Sequence, residues 1–294
     1  MNINDFEVYE YLAPNPEKAK HNILFAHANG IPALSYKILF EKMSTQLNLN
    51  IFTYDIRGIG KTKIKENTDK KIWSWQTLID DHVFVFEQLK TKAIGNWVLA
   101  GHSLGAWLAL LSSEKLKINQ VWLFDPPILE PMTVMQWFIV KTIGRADLNP
   151  NSKKVLKRKT RFPSYEEALA LLKTKSFMKN WSDELILNYL EGSFAQKEDH
   201  IALRHNPQWE AHLFEEYPAA AFLGFLRLSL SFRRQFNPLF FVGEKSDTCN
   251  PKSKPWVQLF FPRLQWISIQ NGTHMFPLEL PDQIIAHILK FMHP

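Results

Sequence analysis

Residues 97–107 read WVLAGHSLGAW, an apolar run, a tight turn and a second apolar run. The first run is short and bulky, as in a strand buried on both faces, and the second has helical spacing of Leu and Ala. The turn is a Gly-x-Ser-x-Gly pentapeptide, Gly101 to Gly105, with Ser103 at its centre. A serine between a buried strand and a buried helix lies on a strained turn that needs small neighbours. We interpret Ser103 as a nucleophile, presented above a sheet beside the first N–H groups of a helix.

Two other interpretations apply to this stretch. Glycines flank a serine by chance in some proteins, so a packing turn without chemistry is the simplest alternative. A membrane span is the second, because residues 93–113 contain no Asp, Glu, Lys or Arg. The polar turn residues at its centre argue against a span, since they would be costly in the middle of a bilayer.

The composition is that of an ordinary globular protein, with 46% hydrophobic and 22% charged residues in 294. This length fits one large domain, or a core domain with an insert. The first residues lack the basic and apolar regions of an export signal. The single cysteine, Cys249, excludes an internal disulfide and fits a reducing compartment. We therefore expect a cytoplasmic protein in which Cys249 is a bystander thiol.

The net charge of +6 raises the question of nucleic-acid binding, most strongly at the basic cluster Lys153 to Arg161. No zinc-ligand spacing, aromatic RNA-binding motif or basic heptad accompanies this cluster. We therefore expect a solvated face near a helix start and no nucleic-acid partner. Attraction to anionic lipid or to an acidic substrate stays open, and no motif indicates membrane association. The sequence does not give the oligomeric state.

Short apolar runs alternate with helical patterns over most of the chain. The predicted strands are residues 21–26, 50–54, 96–100, 121–124, 238–243 and 264–269, and the predicted core helices are residues 35–47, 75–89, 104–111 and 283–292. This alternation predicts an α/β fold with a mostly parallel sheet and helices on both faces.

The alternation stops after Pro127, and about a hundred residues follow with helical patterns and almost no strand signal. The helices predicted there are residues 134–143, 168–172, 183–190 and 219–230, the second opened by a capping box from Ser164 to Glu167. We interpret residues 130–237 as an inserted helical cap, or lid, and residues 1–129 with 238–294 as the core.

A serine hydroxyl is a poor nucleophile until a base takes its proton, and the base needs an orienting acid. After Ser103 the chain offers Asp247 beyond one predicted strand and His274 beyond the next. Both follow the carboxyl ends of strands, where open parallel sheets bind ligands. The order Ser, Asp, His is that of the α/β-hydrolases.

Five blocks in register resemble the α/β-hydrolase superfamily, in its serine-nucleophile branch with a helical cap. They are HANG at 27–30, DIRGIG at 55–60, GHSLG at 101–105, GEKSD at 243–247, and GTH at 272–274 with Glu279 and Pro281 behind it. The resemblance covers nearly the whole chain and implies an α/β-hydrolase fold. It implies Ser103 as nucleophile, Asp247 as orienting acid and His274 as base, with an oxyanion hole from the N–H groups of Leu104 and Asn29.

The activity implied by this resemblance is esterase- or lipase-like hydrolysis of a small to medium apolar ester through an acyl-enzyme. No metal or organic cofactor is expected. Serine at the turn argues against the dehalogenases and epoxide hydrolases of the family, which use aspartate there. Thioesterase, C–C hydrolase, peptidase and perhydrolase chemistry stay open. A ligand-binding protein with little turnover stays open as well, because a fold does not fix a function.

Two departures from the family pattern leave alternatives. The early loop reads His-Ala-Asn rather than His-Gly-x, so Ala28 is an alternative to Asn29 as oxyanion donor. Asp125, which follows the predicted strand 121–124, holds a position that some family members use for the acid. We favour Asp247 because two prolines directly after Asp125 restrict its backbone.

The remaining polar candidates have simpler interpretations. Asp55 and Arg57 are expected to be a structural turn pair. The histidines at 27, 82, 200 and 205 are expected at the surface or at helix caps. Cap side chains such as Met132, Met135 and Trp137 are expected either to form an adaptable apolar wall beside the substrate or to pack in the cap.

Overall fold

The computed structural model describes residues 1–65, 74–216, 227–228 and 236–292. Its strands are β1 (Asn2–Ile3), β2 (Phe6–Tyr11), β3 (Asn22–Ala26), β4 (Asn50–Tyr54), β5 (Trp97–His102), β6 (Gln120–Phe124), β7 (Arg161–Phe162), β8 (Phe194–Gln196), β9 (Ile201–Leu203), β10 (Asn237–Gly243) and β11 (Gln265–Ile269). Its helices are α1 (Lys37–Leu47), α2 (Ser74–Lys90), α3 (Leu104–Leu116), α4 (Pro131–Thr142), α5 (Pro150–Leu156), α6 (Tyr165–Lys173), α7 (Asp183–Ser193), α8 (described over residues 207–216), α9 (Lys254–Phe260), α10 (Phe276–Glu279) and α11 (Pro281–Met292).

An eight-stranded sheet in the order β1-β2-β4-β3-β5-β6-β10-β11 lies at the centre. The six strands from β4 to β11 in this order are parallel, as predicted, and β1 and β2 extend the sheet with antiparallel pairs. The prediction does not include these two edge strands. β5, which leads into Ser103, lies between β3 and β6, so the turn with the serine lies in the middle of the sheet.

Helices cover both faces of this sheet, which explains why its strands are apolar throughout. In β5, Leu99 belongs to the core on one face, whereas Val98 and Ala100 belong to the core on the other. α2, α3 and α9 contribute to the first core, and α1 and α11 contribute to the second. Residues 93–113, which contain no charged side chain, therefore include the buried strand β5 and most of the buried helix α3. In the ranges that the structure describes, no helix is both long and apolar enough to cross a bilayer.

The chain between β6 and β10 forms helices α4 to α8 and a small antiparallel sheet in the order β7-β9-β8. The hydroxyl of Ser164 accepts a hydrogen bond from the N–H of Glu167, which confirms the predicted cap of α6. The small sheet was not predicted, because strands of two or three residues are too short to show an alternating pattern. The helix predicted over 219–230 lies, apart from residues 227 and 228, outside the described residues. The division into core and cap stays a prediction.

His82 on α2 is a buried histidine that makes the stability of the fold depend on pH. Its Nδ1 lies 2.9 Å from the hydroxyl of Tyr54, and the residue is fully buried. Burial lowers the pKa of His82 from 6.5 to about 3. Because the folded-state pKa is the lower one, protons bind the unfolded chain first as pH falls. The stabilisation is therefore complete above pH 6.5 and is lost as pH falls towards the folded-state pKa.

We expect wild type to lose about 2 kcal/mol of unfolding free energy relative to His82→Phe between pH ~7.5 and pH ~5. Urea denaturation of both proteins over this pH range measures the difference in their unfolding free energies. The titration of all other groups is common to both proteins and cancels in this difference. Two stability curves that stay parallel would show that His82 is protonated in the folded protein.

Candidate active site

Ser103 stands on a sharp turn between β5 and α3, with φ 55° and ψ −117°. This backbone conformation is rare for a residue with a side chain and is held by close packing around it. A Cβ on Gly101 would lie 2.2 Å from the carbonyl oxygen of Gly105, and one on Gly105 would lie 1.9 Å from that of Ala26. Both positions therefore require glycine. The contact with Ala26 also holds the loop that follows β3 against the start of α3.

Two backbone N–H groups, one directly after Ser103 and one in the early loop that packs against the start of α3, are available to bind a negative charge. Leu104 is the first residue of α3, so its N–H has no acceptor within the helix. In the early loop, the N–H of Ala28 donates to the hydroxyl of Tyr36 at 3.2 Å, which leaves Asn29 as the candidate. Neither Leu104 nor Asn29 uses its N–H in a hydrogen bond with another residue of the described ranges. The geometry therefore favours the predicted pair Leu104 and Asn29 over Ala28.

His274 follows β11 and lies against the same turn. Its ring centroid is 4.8 Å from that of His102, the residue before Ser103. Its Nδ1 lies 2.7 Å from Oδ2 of Asp125, and the Asp125 side chain is fully buried. A buried carboxylate on Nδ1 fixes the tautomer in which Nδ1 carries the proton and Nε2 has a free lone pair. The hydroxyl of Ser103 makes no hydrogen bond with the described residues, and such contacts often tighten only with substrate.

The acid beside His274 is therefore Asp125 and not Asp247, which corrects the preference derived from the sequence. Asp247 is exposed in the loop after β10, and its Oδ1 accepts a hydrogen bond from the neighbouring Thr248 at 3.1 Å. The two prolines after Asp125 do not keep its carboxylate away from His274, and the residue adopts a positive φ of 46°. Its N–H donates to the carbonyl oxygen of Phe241 at 2.8 Å, so the residue is fixed to the adjacent strand.

The loop after β10 contributes a serine to this site instead of an acid. The hydroxyl of Ser246 donates to Oδ2 of Asp125, the oxygen that also binds His274. The same hydroxyl accepts hydrogen bonds from the N–H groups of Thr248 and Cys249, each at 3.1 Å. Because these two bonds occupy the acceptor positions of the Ser246 oxygen, its proton points to Asp125. The N–H of Gly243 donates to Oδ1 at 3.0 Å, so both carboxylate oxygens are held.

A buried chain of hydrogen bonds connects the three parts of the site. Nε2 of His102 lies 2.9 Å from the carbonyl oxygen of His274, and its Nδ1 lies 2.7 Å from the hydroxyl of Tyr36. Tyr36 in turn accepts from the N–H of Ala28 in the early loop. Burial, with the nearby His274, holds the pKa of His102 well below its ordinary value, so this ring is neutral. The sequence analysis did not identify His102 and Tyr36, because no motif marks a contact across 66 residues.

A second buried cluster, the Arg158–Glu210–His205 cluster, lies against the early loop. Both terminal nitrogens of Arg158 donate to the carboxylate of Glu210, at 2.6 and 2.9 Å, and Nε2 of His205 lies 3.0 Å from it. Burial alone would raise the pKa of Glu210, but Arg158 and His205 hold it below its ordinary value. The side chain of Asn29 donates to the backbone oxygen of Glu210 at 2.9 Å. The cluster thus ties residues 158–210 to the predicted oxyanion loop.

The burial of Arg158 and of three histidines corrects two expectations from the sequence. Arg158 is not part of a solvated face, although Lys153, Lys154, Lys157, Lys159 and Arg161 around it are exposed. Three of the four histidines expected at the surface or at helix caps are buried: His27, His82 and His205. His200 is partly exposed.

The turn after β4 has a structural role, but Asp55 and Arg57 have separate partners. The carboxylate of Asp55 accepts from the N–H groups of Ala33 and Lys61, at 2.9 and 2.7 Å. Burial raises the pKa of Asp55 to about 6. Arg57 forms a bidentate ion pair with Asp81 on α2, at 2.6 and 2.7 Å. Both residues therefore hold loops in place and do not form the predicted pair.

His27 and Cys249 lie near the site without reactive groups of their own. Nε2 of His27 accepts from the N–H of Ile56 and its Nδ1 donates to the oxygen of Ala28, while burial lowers the pKa of His27 to about 4. Burial and the nearby Asp125 raise the pKa of the Cys249 thiol well above its ordinary value. A fully buried thiol of this kind is protonated and unreactive, as expected for a bystander.

Three apolar side chains of the predicted cap lie at the surface and not beside a substrate site in the interior. Met132, Met135 and Phe138 on α4 are 67, 60 and 54% exposed. Trp137 on the same helix is half-buried. These three exposed side chains therefore do not enclose a substrate in this conformation.

Comparison with known proteins agrees with this fold. A family model described as the alpha/beta hydrolase family matches residues 23–287. Peroxisomal membrane protein LPX1 of Saccharomyces cerevisiae is 24% identical over 209 residues, which are 67% of this chain and 52% of that protein. The chain thus spans about half the length of the curated relative it matches.

Two solved structures resemble this fold over nearly their full length. E-2-(acetamidomethylene)succinate hydrolase has a TM-score of 0.71 and 16% identity, covering 98% of this chain and 95% of that chain. The thioesterase domain from the curacin biosynthetic pathway has a TM-score of 0.69 and 13% identity, covering 98% and 97%. At these identities the likeness shows a shared fold.

Proposed function

Because this chain belongs to the alpha/beta hydrolase family, we propose that it is a serine hydrolase that cleaves carboxylic esters through an acyl-enzyme. The observation that carries this proposal is the pair of the buried Asp125 and the half-buried His274, 2.7 Å apart, beside the turn that presents Ser103. A nucleophile, a base on an orienting acid and two free N–H groups are the parts that acyl transfer needs.

In the proposed reaction His274 Nε2 takes the proton of the Ser103 hydroxyl as its oxygen attacks the ester carbonyl carbon. The N–H groups of Leu104 and Asn29 donate to the oxyanion of the tetrahedral intermediate. His274 then gives the proton to the departing alcohol, which leaves an acyl group on Ser103. His274 then takes a proton from a water molecule as the water oxygen attacks the acyl carbon. The acid leaves, and His274 returns the proton to the Ser103 oxygen. Asp125 holds the ring in position and stabilises its charged form throughout.

The substrate class is proposed from the chemistry of these groups and from the comparisons. Among the similar proteins are a hydrolase of a succinate derivative and a thioesterase domain, so the fold accommodates different acyl bonds. We propose a small to medium apolar ester as the substrate.

We expect turnover of p-nitrophenyl esters, with kcat/KM rising about fourfold per added methylene over the first carbons and then falling. A series from acetate to longer acyl chains, run beside matched thioesters, measures the preference. Met135→Ala serves as a control and should leave the preferred length unchanged, because Met135 is 60% exposed. Faster thioester cleavage would move the proposal to thioesterase chemistry. Tight ester binding without turnover would favour a ligand-binding protein instead.

A further inference from the structure

Helix α4 exposes an apolar face to solvent. Met132, Met135, Phe138, Ile139 and Ile143, which directly follows the helix, are 54 to 67% exposed. Their spacing of three or four residues places them along one side of the helix. A surface helix of a globular protein normally has its apolar side towards the core and its polar side towards water. An exposed apolar face of this kind indicates an interaction site.

The opposite side of α4 packs on the protein. Val134 is buried, and Lys141 forms an ion pair with Glu216 at 2.7 Å. The helix is therefore held in place by its inner side. Its apolar residues are displayed outwards by a fixed element, as they would be in a docking surface.

The chain around α4 carries the positive charge of the protein. Residues 131–161 contain eight Lys or Arg and one Asp, a net charge of +7, whereas the whole chain has +6. The remaining residues together thus carry −1. Lys153 and Lys154 on α5 and Lys157 after it are exposed, together with the apolar side chain of Leu156. Apolar and basic side chains are therefore displayed together over this segment.

We propose that α4 and α5 form a docking surface for an anionic lipid bilayer. Exposed apolar side chains beside exposed lysines are the composition of helices that lie in a membrane interface. A nucleic acid would satisfy the lysines but would leave five large apolar side chains without an apolar partner. A second copy of this face is disfavoured because the exposed lysines of the two copies, Lys153, Lys154 and Lys157, would repel each other. This inference does not depend on the proposed hydrolase activity.

Sedimentation with vesicles of phosphatidylcholine, with and without phosphatidylglycerol, tests the surface. We expect binding to the anionic vesicles, and much weaker binding to pure phosphatidylcholine. The double variant Lys153→Glu/Lys154→Glu should weaken binding about 30-fold or more. Phe138→Glu should weaken it about tenfold or more, because an apolar side chain no longer enters the interface.

Matched controls lie on and next to α9, outside this surface. Leu259→Glu changes an apolar residue that is 67% exposed, against 54% for Phe138, and Lys252→Glu/Lys254→Glu makes the same change in net charge as the lysine variant. Both should bind vesicles within about twofold of wild type. Thermal unfolding checks each variant, and Met135→Glu replaces Phe138→Glu if the latter is not folded.

Three results would overturn the proposal. The first is no binding to anionic vesicles at low salt. The second is vesicle binding that the α9 controls weaken as much as the α4 and α5 variants, since attraction would then be general. The third is binding to duplex DNA that the lysine variant abolishes and Phe138→Glu leaves unchanged, which would assign the surface to nucleic acid.

Discussion

Asp125→Asn is expected to lower kcat by about 10⁴-fold, whereas Asp247→Asn should change it less than about threefold. The amide of an asparagine at 125 would present a donor to Nδ1 of His274 and so favour the wrong tautomer of the ring. Asp247 is exposed and its carboxylate is bonded to Thr248, so it has no such effect on the base. Steady-state kinetics with the preferred ester measures both variants.

Asparagine is a suitable substitute at this position. Asp125 has a φ of 46°, a conformation that Asn tolerates better than other residues with a side chain. The variant should therefore fold, and thermal unfolding verifies this. If Asp247→Asn lost more activity than Asp125→Asn, the acid would be in the loop after β10, and the observed pair with His274 would not be the active arrangement.

Ser103→Ala is expected to lower kcat by about 10⁶-fold. The hydroxyl that forms the acyl-enzyme is lost, while the N–H groups of Leu104 and Asn29 remain. The effects of substitutions within one catalytic unit are strongly non-additive. The double variant Ser103→Ala/Asp125→Asn should therefore be no slower than Ser103→Ala alone. Kinetics of the single and double variants with one ester test both statements.

The matched control is Ser246→Ala, which removes a hydroxyl from the group that holds Asp125 but leaves the nucleophile. It should lower kcat far less than Ser103→Ala, because Gly243 still donates to the carboxylate. Near wild-type turnover by Ser103→Ala would mean that another group is acylated or that water attacks the ester directly.

The fold and the turn that presents Ser103 could be predicted because their signals are local. A buried strand, two glycines and a buried helix within residues 97–107 determine the turn at Ser103. The parallel strands show as continuous apolar runs because helices cover both of their faces. The position of His274 could be predicted for a similar reason, since it lies in the short loop after the last strand.

The carboxylate that contacts His274 could not be predicted because its choice depends on packing between strands. Two carboxylates follow neighbouring strands of the sheet, Asp125 after β6 and Asp247 in the loop after β10. A shift of one residue in that loop places Ser246 towards the site and Asp247 towards solvent. Pro126 and Pro127 restrict the backbone of Asp125, but the residue adopts a positive φ of 46° and its carboxylate still reaches His274. Networks such as that of His102 and Tyr36 join distant residues and leave no sequence pattern.

The most direct test of this account is the rate and position of labelling by a fluorophosphonate, read by peptide mass spectrometry. A serine with an active base and oxyanion hole reacts with this reagent, whereas an ordinary serine does not. We predict a single adduct on Ser103, no adduct in Ser103→Ala, slow labelling in Asp125→Asn and normal labelling in Asp247→Asn. An adduct on a different serine, or one that persists in Ser103→Ala, would contradict the assignment of Ser103 as the nucleophile.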